Sequence, residues 1–120
     1  MSAKRGWYPA ACFVRILNEP RIYVCGGHDG ISHLNSCEYL SFSSKTWYNI
    51  PSMRTARAWT AGVLLPDRVS FVICGGYNPT VLSTCEKLNL ASHTWSSSVV
   101  SMSTTRHAHA AVVYKGNMVV

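Results

Sequence analysis

Charge is what this 120-residue chain has least of: Asp, Glu, Lys and Arg make up 13% of it, and only five residues are acidic. Beside 48% hydrophobic residues, so little charge excludes a disordered tail and describes a chain able to build an apolar core. Long hydrophobic runs are missing too. Ala61 to Pro66 and Val69 to Gly76 are far shorter than the ~20 residues of a membrane-spanning helix, so no membrane partner is expected. At the N-terminus Pro9, Arg15 and Asn18 break the stretch that follows Lys4 and Arg5, no secretion signal is read, and the expected address is cytoplasmic. The five cysteines are odd in number and lack the paired C-x-x-C spacing of a structural zinc site, which favours reduced thiols. No G-x-S-x-G nucleophile motif occurs, and no acid/base pair stands out among the five carboxylates. Neither an enzyme nor a cofactor is expected.

What the chain does have is a repeat. Cys25-Gly26-Gly27 returns 49 positions on as Cys74-Gly75-Gly76, and Cys37-Glu38 returns after 48 as Cys85-Glu86. Trp47 returns as Trp95, Met53 as Met102 and Arg57 as Arg106, so one register runs through two copies. Within each copy, short runs of β-branched and aromatic residues are bounded by Gly, Pro, Asn, Asp and Ser, the pattern of short strands. Four are predicted in copy one, over Trp7 to Ile16, Arg21 to Gly27, Ser36 to Phe42 and Thr46 to Ile50, with turns at Asn18-Glu19-Pro20, Asp29-Gly30 and Ser43-Ser44-Lys45. Copy two predicts Trp59 to Leu65, Val69 to Gly76, Ser83 to Leu90 and Thr94 to Val99. Ala108 to Tyr114 opens a third copy, with Lys115-Gly116-Asn117 as its first turn. No stretch has sustained helical periodicity.

Four antiparallel strands in a repeat of roughly 50 residues match the arithmetic of a propeller blade. The chain resembles the kelch-repeat family over essentially its whole length. The residues that carry the likeness are the double glycine after the second strand, Glu38-Tyr39 in the third, Trp47 in the fourth, and the Met53-x-x-x-Arg57 that follows. Copy two departs once, with Lys87 at the place of the tyrosine. The resemblance implies an all-β fold, a kelch-type β-propeller of four-stranded antiparallel blades with an incomplete ring: repeat one over 5–53, repeat two over 54–102, and the start of a third over 103–120. A propeller closes with about 4 to 8 blades, so the chain is expected to be a piece of a longer protein.

The marked residues divide into structural and surface sets. Gly26, Gly27, Gly75 and Gly76 are expected where the chain turns with positive φ, and a phosphate-cradling role is not, since no helix follows. Tyr39, Trp47 and Trp95 are expected as packing residues, the indoles filling the wedge between blades. The repeated cysteines are expected as small buried hydrophobes; Cys12, which has no counterpart in copy two, is the candidate for a redox-sensitive thiol. Cys25-Gly26-Gly27-His28 and His107-Ala108-His109 do not assemble the three or four donors of a metal site.

In an antiparallel meander the loop between strands two and three shares an end with the connection to the next blade. That end gathers His28, Asp29, His33, Arg54, Arg57, Arg106 and His107, a basic set on loops, where binding residues concentrate. The formal net charge of +6 raises nucleic acid as a partner, but the basic residues are scattered and no RNA-binding signature interleaves them with aromatics. Another protein, recognised through an acidic or phosphorylated segment, is the expected partner. Arg57 and Arg106, being part of the repeat, have a structural reading as well. The resemblance implies a substrate-recognition propeller of a kelch-like adaptor for a cullin-type ubiquitin ligase, engaged through a BTB region outside this sequence. The alternatives are an actin-binding cytoskeletal kelch protein and, more remotely, a galactose-oxidase-like copper oxidase.

Overall fold

The computed structural model describes residues 4–6, 9–80, 82 and 84–97, and the backbone of 112–114 and 117–119. The strands are β1 (Ala10–Ile16), β2 (Glu19–Cys25), β3 (Cys37–Ser41), β4 (Thr46–Ile50), β5 (Ala61–Leu64), β6 (Ser70–Cys74), β7 (Cys85–Asn89), β8 (Thr94–Ser97), β9 (Val112–Tyr114) and β10 (Asn117–Val119). They form two four-stranded antiparallel sheets in sequence order, β1 to β4 and β5 to β8, and a β9–β10 hairpin. Among the described residues there is no helix, and the blades do not close a ring.

Each sheet is a meander because its turns are short and chemically suited. The β1–β2 turn falls on Leu17-Asn18, both with positive φ (52° and 64°), one step before the expected Asn18-Glu19-Pro20. Two left-handed residues suit a two-residue hairpin between twisted strands, so Glu19 and Pro20 enter β2, paired with Ile16 and Arg15. Likewise Asn117, expected in a turn, begins β10. Strands β2 and β6 stop at Cys25 and Cys74, short of the expected Gly27 and Gly76, because all four glycines have φ between 68° and 98°, outside the extended region. The expected starts at Trp7 and Ala108 and the expected end at Val99 lie outside the described residues.

Strand alternation gives each blade two apolar faces, as a stacked sheet needs. Phe13, Ile22, Leu40 and Trp47 stand in one row across blade 1, and Leu64, Phe71, Leu88 and Trp95 in the matching row of blade 2. The blade 2 row packs on blade 1: Phe71 and Leu88, both 0% exposed, join one core with Val14, Tyr23, Cys25, Cys37 and Met53. Each such side chain contributes roughly 1.5–3 kcal/mol. The blade 1 row lies on the far face, where Phe13 is 56% exposed. Trp95 fastens the junction, its indole N–H donating to the Pro51 carbonyl at 2.7 Å. Tyr39 packs between Tyr23, Tyr48 and His93, with the Arg21 guanidinium over its ring; Lys87 at the matching place in blade 2 is exposed.

The expectation of reduced thiols throughout is corrected. The β6–β7 register sets Cys74 opposite Cys85, and the two are joined by a disulfide, whereas Cys12, Cys25 and Cys37 are free.

Candidate functional site

The end of the blades that carries the β2–β3 and β6–β7 loops is built around the connection 51–60. Met53 N donates to Asn35 O, Arg57 N to Leu34 O, and Gly27 N to Arg57 O, so this connection is stitched to the β2–β3 loop of blade 1. Ala58 and Tyr77 then bridge it to the loop of blade 2. The double glycines permit this close approach. A Cβ on Gly26 would collide with the Arg57 carbonyl, and one on Gly76 would sit 2.6 Å from that of Ala58.

Arg57 does not face a partner, and its place in the candidate surface is corrected. Its side chain is wholly buried and turned into blade 2, where Nη1 donates to Gly75 O (2.9 Å) and Thr84 O (2.8 Å), and Nε and Nη2 donate to Glu86 Oε2 (3.3 and 3.2 Å). Burial pulls its pKa down and Glu86 opposes that shift; the acceptors offset the cost of holding a charge out of water. Glu86 in turn accepts from the backbone N–H of Arg54 and Thr55. Blade 1 repeats the device with Arg5, which the sequence reading did not single out: Nη1 donates to Gly26 O and Ser36 O, Nε and Nη2 to Glu38 Oε2. Arg106 and His107 lie outside the described residues.

Of the remaining candidates, Arg54 is exposed, and among the described residues its guanidinium has no ion-pair partner. Asp29 is also exposed, but its Oδ1 accepts from the N–H of Ile31 (2.8 Å) and Ser32 (2.7 Å), bonds that hold its pKa below the usual carboxylate value. It shapes the loop. His28 accepts from the Gly30 N–H through Nδ1 and lies edge-on to His33, 4.9 Å between ring centroids. Loss of hydration, reinforced by His28, pulls His33 below its ordinary pKa. From His33 the line of rings continues to Tyr77 at 5.5 Å, and from Tyr77 to Trp59 at 6.1 Å. Trp59 and Tyr77 were not among the expected surface residues; their position right after Ala58 and Gly76 in the two loops was the available signal. The rim therefore presents a strip of aromatic rings spanning both blades, and the exposed Arg54 lies on the same connection as Trp59.

Cys12 is unsuited to thiolate chemistry. Burial pushes its pKa up to about 12, only partly offset by a hydrogen bond from the Tyr23 backbone, the opposite of what a reactive thiol requires.

Paired four-stranded meanders stacked through one shared core, each closed by a double glycine, define propeller blades. Residues 19–54 match the family model described as Kelch motif. This segment is a kelch motif, the repeat of a class of protein-interaction modules. No curated protein matches the chain.

Proposed function

We propose that this chain holds a client protein on the rim formed by the 26–36 loop, the 75–84 loop and the 51–60 connection, and that the client offers an acidic segment. The observation that supports the reading is the uneven fate of the rim's charges. Arg57 is spent inside blade 2 and the Asp29 carboxylate on its own loop, which leaves Arg54 to meet solvent on the connection that also carries Trp59 of the aromatic strip. A carboxylate or phosphate reaching Arg54 gains a charge-assisted bond, and the strip offers flat apolar area for the flanking residues.

The likeness to kelch-like adaptors supports a finer reading: a cytoplasmic adaptor that presents the client to a cullin-type ubiquitin ligase through a BTB region. In that compartment the Cys74–Cys85 bridge would meet thiol reductants. The test is affinity capture from cytosol with the full-length protein at low and moderate salt. Co-purification of a cullin with a client released by salt is the expected result. Cosedimentation with filamentous actin and no cullin would assign a cytoskeletal role instead.

A further inference from the structure

Cys25 and Cys37 stand opposite one another across β2 and β3, as Cys74 and Cys85 do across β6 and β7. The backbone around the two pairs is the same. Gly26 N donates to Ser36 O at 3.1 Å where Gly75 N donates to Thr84 O at 3.0 Å, and Leu34 N–Gly27 O and Leu82 N–Gly76 O are both 2.8 Å. Each pair closes the base of a double-glycine loop, yet blade 2 carries a disulfide there and blade 1 two buried thiols. A backbone that accepts the bridge in one blade is thus repeated, unbridged, in its neighbour.

We propose that Cys25 and Cys37 form a thiol–disulfide modification site, which closes to the blade 2 arrangement under a small disulfide oxidant and clasps the 26–36 loop of the rim. With oxidised glutathione the step balances as follows. One cysteine loses its proton and attacks a sulfur of the oxidant, releasing one glutathione; the second attacks the resulting mixed disulfide and releases the other. Two S–H bonds and the oxidant's S–S bond are exchanged for the Cys25–Cys37 bond, and the two electrons and two protons leave on glutathione. Cys12 lies on the same face of the sheet, but it stands opposite Tyr23, whereas Cys25 stands directly opposite Cys37; burial raises the pKa of Cys12 and of Cys25 alike, which makes the exchange slow. A link at the base of a loop removes its more open conformations, so closure tightens the segment that carries His28, Asp29 and His33. The inference concerns these thiols and is independent of what the rim binds.

The test holds the full chain in glutathione buffers of stepped reduced-to-oxidised ratio, blocks free thiols with N-ethylmaleimide, and maps the unreduced digest by mass. Amide hydrogen exchange over 26–36 is followed in the same samples. The expected result is a peptide linking Cys25 to Cys37, two hydrogens lighter than the thiol pair, that grows with the oxidised fraction as exchange in 26–36 slows; Cys25→Ser removes both signals. Thiols that stay blockable at every ratio, a link from either cysteine to Cys12, stable glutathione adducts, or a Cys25–Cys37 link formed only after unfolding in urea would overturn the site. A link formed with no change in exchange would overturn the clasp.

Discussion

A guanidinium taken out of water costs several kcal/mol unless acceptors surround it, and Arg57 meets that cost with Gly75 O, Thr84 O and Glu86. Arg57→Met leaves the Glu86 carboxylate buried without its counter-charge, and a loss of about 3–5 kcal/mol is expected in urea unfolding. Adding Glu86→Leu should recover only part of the loss, because Glu86 also accepts from the Arg54 and Thr55 amides. An unchanged midpoint for Arg57→Met would contradict this assignment. The same approach at Gly26, where the Arg57 carbonyl fills the place of a side chain, predicts that Gly26→Val loses at least the ~1–3 kcal/mol of a residue forced to positive φ, again read from the unfolding midpoint. The glycine pairs were legible because their reason is local: only a residue without Cβ takes that turn. The role of Arg5 was not. It precedes the first strand, 33 positions from the carboxylate it holds, and its equivalence to Arg57 appears only when the two acceptor sets are compared.

At the scale of elements, the blades are held together away from the rim by the β7–β8 turn. The Tyr23 hydroxyl lies 2.9 Å from His93 Nε2 and 3.3 Å from the Leu90 carbonyl, and Arg21 Nη1 donates to that hydroxyl at 2.9 Å. Burial, with Arg21 nearby, lowers the His93 pKa below its ordinary 6.5; Tyr39 and Tyr23 are the other titratable groups against the ring. A histidine whose folded pKa is depressed contributes stability that is complete above its unfolded pKa and is lost as pH falls toward the folded value. Thermal midpoints should therefore drop as pH is taken down from about 6.5, before the carboxylates such as Asp67, with an ordinary value of 3.8, begin to take up protons. His93→Gln should flatten that first decline. An identical slope in the variant would remove the His93 contact as its cause. Strand existence was legible from the alternation of apolar and polar residues. The β1–β2 turn was displaced by one residue because Pro20 reads as a turn former, while the φ-positive pair Leu17-Asn18 satisfies the hairpin by itself.

For the whole molecule, the row Phe13, Ile22, Leu40 and Trp47 occupies the place that blade 1 covers in blade 2, and it leaves Phe13 and Phe42 exposed and in edge contact at 6.1 Å. Contiguous apolar surface of this kind promotes association, so sedimentation velocity of the isolated chain should show mass that rises with concentration. Phe13→Glu should reduce it with little change in the melt; a concentration-independent monomer would contradict the exposed face. The disulfide was not legible, because spacing along the chain does not reveal which cysteines a sheet register sets opposite, and identical positions in blade 1 hold free thiols. The rim was legible in part. Meander topology placed the loops at one end, but whether an arginine turns outward, like Arg54, or into a blade, like Arg57, depends on acceptors supplied from distant sequence. The central claim, that this rim grips an acidic segment, is tested most directly by measuring the affinity of the full-length protein for its captured client across a salt series. Wild type is compared with Arg54→Glu and with Arg15→Glu, a control on the exposed side of β1. Loss of a charge-assisted contact worth ~1.5–3 kcal/mol predicts an affinity about tenfold to a hundredfold weaker for Arg54→Glu alone, with a shallower salt dependence and a melt within ~0.5 kcal/mol of wild type. Equal affinity for all three proteins, unaffected by salt, would contradict the account.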